Sequence, residues 1–241
     1  MADLKTTAII AAAGLGKRYG EGIRKQFQLL NGKPLLVHSI DRFEESELIK
    51  EIILVVPEDS INYCHREIVE RFRFKKIAKI IPGREQRQHS VESGFNSVSS
   101  ETDVVVIHDG VRPLVTVGLI NRVIKECLQS GGAIAAVPMR DTVKKSSARN
   151  HIEGTLSRES LWLAQTPQAF KYDLLKTAYE KTANDGFLGT DEASLVEQLG
   201  IQIKLVPGSQ TNIKITTRED LLLGELLLKD GRKLLEIENY E

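Results

Sequence analysis

The sequence predicts an α/β fold: a Rossmann-like, doubly wound, mostly parallel sheet with a protruding β-arm. Three observations carry this. Short apolar runs recur along the chain, mostly apolar on both faces, as strands covered by helices on each side must be. Longer amphipathic segments separate them, the alternation that builds parallel sheets. One segment, Arg140 to Thr166, breaks this rhythm with polar residues and turn signals.

In chain order, the expected strands are Ala8–Ala13, Ile52–Val56, Ile77–Ile81, Val104–His108, Ala133–Val137 and Ile203–Val206. The first expected helix, Leu35–Phe43, follows Lys33-Pro34, where proline suits a first turn. Asp59–Arg71 follows Pro57 and opens on an acid–serine pair, a start signal. Ser90–Ser97 is short, and Ser90 is a candidate N-cap. Val117–Ser130 stops at Gly131-Gly132. Tyr172–Ala183, Glu192–Leu199 and Arg218–Leu228 complete the set. In the irregular segment, Thr142–Lys145 and Ile152–Leu156 flank a turn at Ser146–Asn150 and predict a hairpin. It has too little apolar surface to stand alone, so it is expected to pack on something, with a second copy of the chain as the candidate. No internal repeat or low-complexity linker divides the chain. It reads as one domain, residues 1–241, with an arm at about 140–163.

The 241 residues are 41% hydrophobic and 27% charged, enough chain to bury a sizeable core. Lys plus Arg balances Asp plus Glu at 33 each, so no global field draws in nucleic acid or an anionic membrane. Any anion site has to come from local clustering. Cys64 and Cys127 lack C-x-x-C spacing and read as reduced thiols in helices. No apolar run approaches ~18 residues and no signal-peptide pattern opens the chain, so a cytoplasmic setting is expected.

One local cluster stands out. The run Ala8 to Ala13 breaks at Gly14 and Gly16, and Lys17, Arg18, Arg24 and Lys25 follow against a single acid, Glu21. Glycines bring backbone N–H groups close to a ligand, and cations neutralise an anionic one, so this loop is a candidate phosphate cradle. The competing reading is a plain strand-to-helix turn. It is not a Walker A loop, and the G-x-G-x-x-G dinucleotide spacing fails because Tyr19 occupies the third position. The second stretch, Gly83 to Ser90, follows a strand, and Gly83 would let backbone approach a flat ligand. The third is His108-Asp109-Gly110-Val111-Arg112-Pro113, where a buried strand ends in an acid and a base. Asp109 there is a candidate Mg²⁺ ligand. It is equally a candidate for a structural ion pair with Arg112, and His108 reads as structural. Gln165-Thr166-Pro167-Gln168 reads as loop or strand edge, Thr190-Asp191-Glu192 as a helix cap, and Asn212 to Thr216 as an alternating strand carrying Lys214.

Taken together, these stretches resemble a family. Ala12-Ala13-Gly14-Leu15-Gly16-Lys17-Arg18 with Lys25-Gln26 resembles the pyrophosphorylase-type nucleotidyltransferase signature. Arg87-Gln88-His89-Ser90-Val91, His108 to Pro113, Asp141 to Lys144, Gln165 to Phe170, Thr190 to Ser194 and Asn212 to Thr216 follow in order. The set is similar to the 2-C-methyl-D-erythritol 4-phosphate cytidylyltransferase family, from about Thr7 to Leu223.

The resemblance implies CTP and a sugar-alcohol phosphate as substrates, Mg²⁺ or another divalent cation as cofactor, and a homodimer whose arm reaches the partner's site. It implies nucleotide contacts at Ala12, Ala13, Gly14, Gly16, Lys17, Gly83, Arg87 and Ser90. Arg18 and Lys25 would stabilise the triphosphate, while Arg158 and Lys214 position the acceptor phosphate. Asp109, Arg112, Thr142, Thr166 and Thr190 would line the acceptor pocket, with Thr142, Arg158 and Thr166 supplied by the partner's arm. A plastid stroma replaces the cytoplasm if the chain is a mature plant or algal form. One departure bears on the chemistry: Arg24 stands where the family pattern has proline before the lysine. The implied reaction is nucleotidyl transfer, with a ribitol 5-phosphate enzyme as the nearest alternative. A non-catalytic nucleotide-binding module and a dinucleotide-binding oxidoreductase are more distant ones.

Overall fold

A computed structural model describes residues 4–14 and 24–229 of the chain. Its strands are β1 (Thr6–Ala11), the two-residue bridge β2 (Leu29–Leu30) with β3 (Lys33–Pro34), β4 (Glu51–Val56), β5 (Ile77–Pro82), β6 (Val104–Asp109), β7 (Gly132–Pro138), β8 (Val143–Ser146), β9 (Ile152–Leu156), β10 (Trp162–Lys171) and β11 (Lys204–Pro207). The helices are α1 (Leu35–Glu45), α2 (Ile61–Tyr63), α3 (Arg87–Phe95), α4 (Val117–Ser130), α5 (Tyr172–Asp185), α6 (Glu192–Glu197) and α7 (Arg218–Lys229).

Seven strands form one sheet in the order β11–β7–β10–β6–β1–β4–β5. All neighbours are parallel except β10, which runs antiparallel to both β6 and β7. The pleat sends alternate side chains to opposite layers. Ile10 joins a layer with α1, α4 and the segment bearing Cys64 and Ile68. Ile9 joins a layer with α3, α5 and α6. Both faces are therefore covered, which is why the strands carry few polar residues.

The expected strands and helices are all present apart from one. Asn212 to Thr216 is not a strand; it crosses the sheet end as irregular chain, held by Ile215 N–H to the Val111 carbonyl at 2.9 Å. The helix expected over Asp59–Arg71 is a 3₁₀ turn (Glu58–Ser60), α2, and a π-helical stretch (Cys64–Glu70). Both cysteines are free and buried. The predicted hairpin forms as β8 and β9, with Ile152 and Leu156 exposed.

The central strand β10 is absent from the sequence expectations. It is interrupted at its middle by the polar pair Gln165-Thr166 and by Pro167, which has no N–H for the ladder, and its pairing with β7 shifts register between Ala164 and Gln168. That irregularity turns Thr166 toward β6. Thr166 Oγ1 accepts from the Asp109 N–H and lies 3.0 Å from His108 Nδ1. The Arg112 carbonyl, 3.2 Å from Nε2, can only accept, so the single N–H of the neutral ring sits at Nε2 and Nδ1 accepts from the Thr166 hydroxyl. His108 is fully buried beside Phe43, and burial pushes its pKa down from 6.5 to about 3.

The unfolded chain thus binds a proton at His108 below pH 6.5 that the folded chain refuses until about pH 3. Stability should fall as pH drops through that window, by at most roughly 1.4 kcal/mol per pH unit from this group. Urea midpoints measured across the window should show the slope, and His108→Gln should flatten it.

Candidate active site

Four segments meet at the carboxyl edge of the sheet, where ligands bind in open parallel sheets. They follow β1, β5 and β6, and the fourth is the irregular stretch after β11. Backbone bonds extend the sheet past its strand ends: Ala12 N–H to Val55 at 2.8 Å, Gly83 N–H to Val56 at 2.8 Å, and Gly110 N–H to Ala11 at 2.9 Å. Between these segments lies a cleft of about 330 Å³, lined by Ala12, Ala13 and Gly14 and by the charged residues Lys25, Arg84, Glu85, Arg87, Asp109 and Lys214.

Gly83 is required by packing against the chain itself. A Cβ there would lie 2.1 Å from the Ala13 Cβ. Ser90 is not the N-cap expected of it. The helix starts earlier, at Arg87, and Ser90 Oγ accepts from Arg84 N–H at 2.8 Å while facing the Arg84 and Gln86 carbonyls at 2.9 and 3.0 Å. Ser90 thus shapes the loop that carries Arg84 into the cleft.

A buried chain of charges forms the floor. Arg87 Nε donates to Asp109 Oδ1 at 3.1 Å. Lys214 Nζ lies 2.8 Å from Asp109 Oδ2, and Arg112 Nε lies 3.6 Å from the same oxygen. Arg87 Nη1 meets both oxygens of Glu192, at 3.0 and 2.9 Å, and the Glu192 side chain is only 1% exposed. Arg112 is further fixed by Nη1 to the Asn212 carbonyl at 2.7 Å. Burial works against ionisation of Asp109, but Arg87, Lys214 and Arg112 outweigh it and hold the carboxyl well below the usual range. Burial pushes Glu192 up, and Arg87 offsets part of that. The cluster contains three cations and two carboxylates, so it leaves a net positive floor.

Lys25, which also lines the cleft, opens a 3₁₀ turn, Lys25–Phe27. Gln26 is buried and donates to the Ala12 carbonyl at 2.7 Å, which ties the lysine turn to the strand end. Arg24 is turned to Asp59 and Ser60 and does not line the cleft.

Of the sequence-predicted residues, Ala12, Ala13, Gly14, Lys25, Arg87, Ser90, Asp109 and Lys214 converge on the cleft. Arg112 lies behind it as a partner of Asp109. Gly16, Lys17 and Arg18 lie outside the described residues. Thr166, expected from a partner's arm, sits in β10 of the same chain as its Asp109. Thr142 and Arg158 are exposed on the hairpin segment and Thr190 is exposed before α6; none of them lines the cleft of its own chain. Glu192 and Gln26 were missed as site residues. A helix cap explained the Thr190-Asp191-Glu192 stretch, and Asp191 does cap α6 through Ser194 N–H at 3.0 Å, which hid the different role of Glu192.

Asp109, the expected magnesium ligand, has cations on both oxygens, so a metal there would displace Lys214 or Arg112. Among the described residues no three His, Cys, Asp or Glu side chains converge on a metal position. The donor set does not fit an all-protein magnesium cage.

The chemistry of the cleft is that of anion binding: Lys25, Arg84, Arg87 and Lys214 line it, and a neutral buried histidine lies behind. The comparisons with known proteins agree. The family model described as 2-C-methyl-D-erythritol 4-phosphate cytidylyltransferase matches residues 6–230. Proteins of that name from Syntrophus aciditrophicus and Geotalea uraniireducens are 48% and 46% identical over 230 and 228 residues, covering 95% and 94% of this chain and 98% and 97% of theirs. The crystal structure of 4-diphosphocytidyl-2C-methyl-D-erythritol synthase from Anaerococcus prevotii matches with a TM-score of 0.82 at 30% identity, covering 94% of this chain and 99% of that one. A chain that matches at this identity over nearly its whole length belongs to the 2-C-methyl-D-erythritol 4-phosphate cytidylyltransferase family.

Proposed function

We propose that the protein transfers CMP from CTP to 2-C-methyl-D-erythritol 4-phosphate, giving CDP-methylerythritol and pyrophosphate for isoprenoid precursor synthesis. The observation that carries this is the cleft lined by Lys25 from one segment and by Lys214, held by Asp109, from another. Two polyanions have to meet in such a reaction, and separated cations can hold one each.

An oxygen of the acceptor phosphate attacks the α-phosphorus of CTP. A P–O bond forms there as the bond to the β-phosphate oxygen breaks, and pyrophosphate leaves. A phosphate monoester is already anionic at neutral pH, so no general base is needed, and the neutral His108 is buried behind the site. Positioning and charge stabilisation then dominate. Lys25, with Arg18, stabilises the triphosphate; Lys214, with Arg158, places the acceptor phosphate; Asp109 aims Lys214. Thr142 and Thr190 complete the acceptor pocket. Mg²⁺, when bound, would supply further neutralisation of phosphate oxygens, with phosphates and water as most of its ligands.

The proposal includes a homodimer of a one-domain chain, in which the arm at about 140–163 carries Thr142 and Arg158 to the partner's cleft. Exposed Ile152, Leu156, Trp162 and Leu163 on that segment support a second copy as its contact. No helix among the described residues is long and apolar enough to cross a membrane. The proposed setting is the cytoplasm, or the stroma for a plastid form.

Purified protein given CTP, Mg²⁺ and methylerythritol phosphate should release pyrophosphate, and faster than with ribitol 5-phosphate; the reverse preference would reassign the acceptor. Lys25→Ala should keep its melting temperature while kcat drops by a factor on the order of 10²–10³, the cost of one preorganised donor. Glu192→Gln removes one partner of a buried pair and should cost roughly 3 kcal/mol of stability in urea melts. It should also lower turnover, because Arg87 is then free to pull Asp109 from Lys214. Light scattering should report twice the 26.9 kDa chain mass.

A further inference from the structure

Arg24 stands immediately before Lys25, at the entrance to the Lys25–Phe27 turn. Its backbone sits at φ −57°, ψ 139°. That is the extended, polyproline-like region which a proline ring imposes by covalent restraint. Arginine has no such ring, so free rotation about this residue would let the lysine turn swing.

The side chain supplies a restraint. The guanidinium grips Asp59 with both prongs, Nη1 to Oδ1 and Nη2 to Oδ2 at 2.7 Å, and Nη1 also donates to Ser60 Oγ at 2.7 Å. The Ser60 hydroxyl in turn lies 3.1 Å from Asp59 Oδ1. Both partners belong to the 3₁₀ turn Glu58–Ser60 that follows β4, and Ser60 is buried. The far end of the lysine turn returns to the same region, because the Phe27 ring packs 4.9 Å from Tyr63 of α2. In between, Gln26 is tied to Ala12. Lys25 is thus carried on a turn fastened at both ends to one segment, residues 58–63, and in its middle to β1.

We propose that Arg24, Asp59 and Ser60 form a clamp that positions Lys25, with a two-pronged ion pair doing what a proline ring would do at this backbone geometry. Arg24 is a positioning residue and not one more phosphate contact, since its charge is committed to Asp59. This rests on reading Lys25 as the triphosphate ligand, and the experiment separates the two.

The test compares Arg24→Ala, Asp59→Asn, the double variant and Arg24→Pro. Each single loss should lower kcat about three- to fivefold, the upper scale for an exposed ion pair, with KM for the acceptor unchanged. The double variant should be no worse than either single, because both remove one interaction. Arg24→Pro should regain most of the activity lost in Arg24→Ala. Amide hydrogen exchange over residues 24–28 should quicken in Asp59→Asn and Arg24→Ala. A contrary pattern overturns the proposal: Arg24→Ala raises KM for CTP, Asp59→Asn leaves it unchanged, and proline gives no rescue, which makes Arg24 a phosphate ligand. Unchanged exchange and unchanged kcat in Asp59→Asn overturn it equally. If the wild-type protein releases no pyrophosphate, the functional reading falls, and the exchange measurement alone decides the clamp.

Discussion

A single buried carboxylate, Asp109, governs the arrangement of the site. A charge taken out of water is costly unless it is paired and hydrogen-bonded. Asp109 therefore requires its cations, and each comes from a different part of the chain: Arg87 from α3, Arg112 from its own loop, Lys214 from the stretch after β11. Arg87 in turn needs Glu192 from α6. Satisfying one anion draws four separate segments to the same sheet edge, and the surplus positive charge they leave behind is what an anionic substrate meets.

The antiparallel strand β10 gives that arrangement a rigid back wall. Thr166 occupies the irregular part of the strand and contacts both the Asp109 backbone and the His108 ring. Asn212 closes the other side, with Nδ2 on the Thr166 carbonyl at 2.9 Å and its own carbonyl accepting from Arg112. The irregular run bearing Lys214 is thereby stitched to β10, so the ammonium is delivered by backbone and amide bonds without any strand pairing. A preorganised donor of this kind is effective because it does not have to reorient as charge develops.

The two lysines of the cleft are held differently. Lys214 is itself partly exposed but is locked by charge to the buried Asp109. Lys25 sits on a short turn near the surface, secured by an exposed ion pair, one buried amide and one aromatic contact. Exposed pairs are individually weak and salt-sensitive. The Lys25 side is thus the more easily loosened one, which suits the proposed role of admitting a triphosphate and releasing pyrophosphate.

Much of this was legible from the residues alone. Apolar runs over Ala8–Ala13 and Val104–His108 are strands because both faces must be buried, and Gly131 ends α4 because its φ of +86° favours glycine. The cationic loop and the Asp109-to-Arg112 stretch were visible as local clusters, and motif order along the chain pointed to the family. β10 was not legible, because Gln165-Thr166-Pro167-Gln168 breaks the strand pattern at its middle, and its place between two parallel strands is a matter of topology. Nor was Glu192, since a helix start accounts for an acid at that position whatever lies opposite it. Arg24 looked like one more cation for phosphate until Asp59, 35 residues on, was seen beside it. The sequence by itself determined which segments become strands and helices and which residue types could bind an anion, because periodicity and side-chain chemistry are local. Only the tertiary structure decided which charges neutralise one another and which are left for a ligand, because pairing depends on distances between segments far apart in the chain.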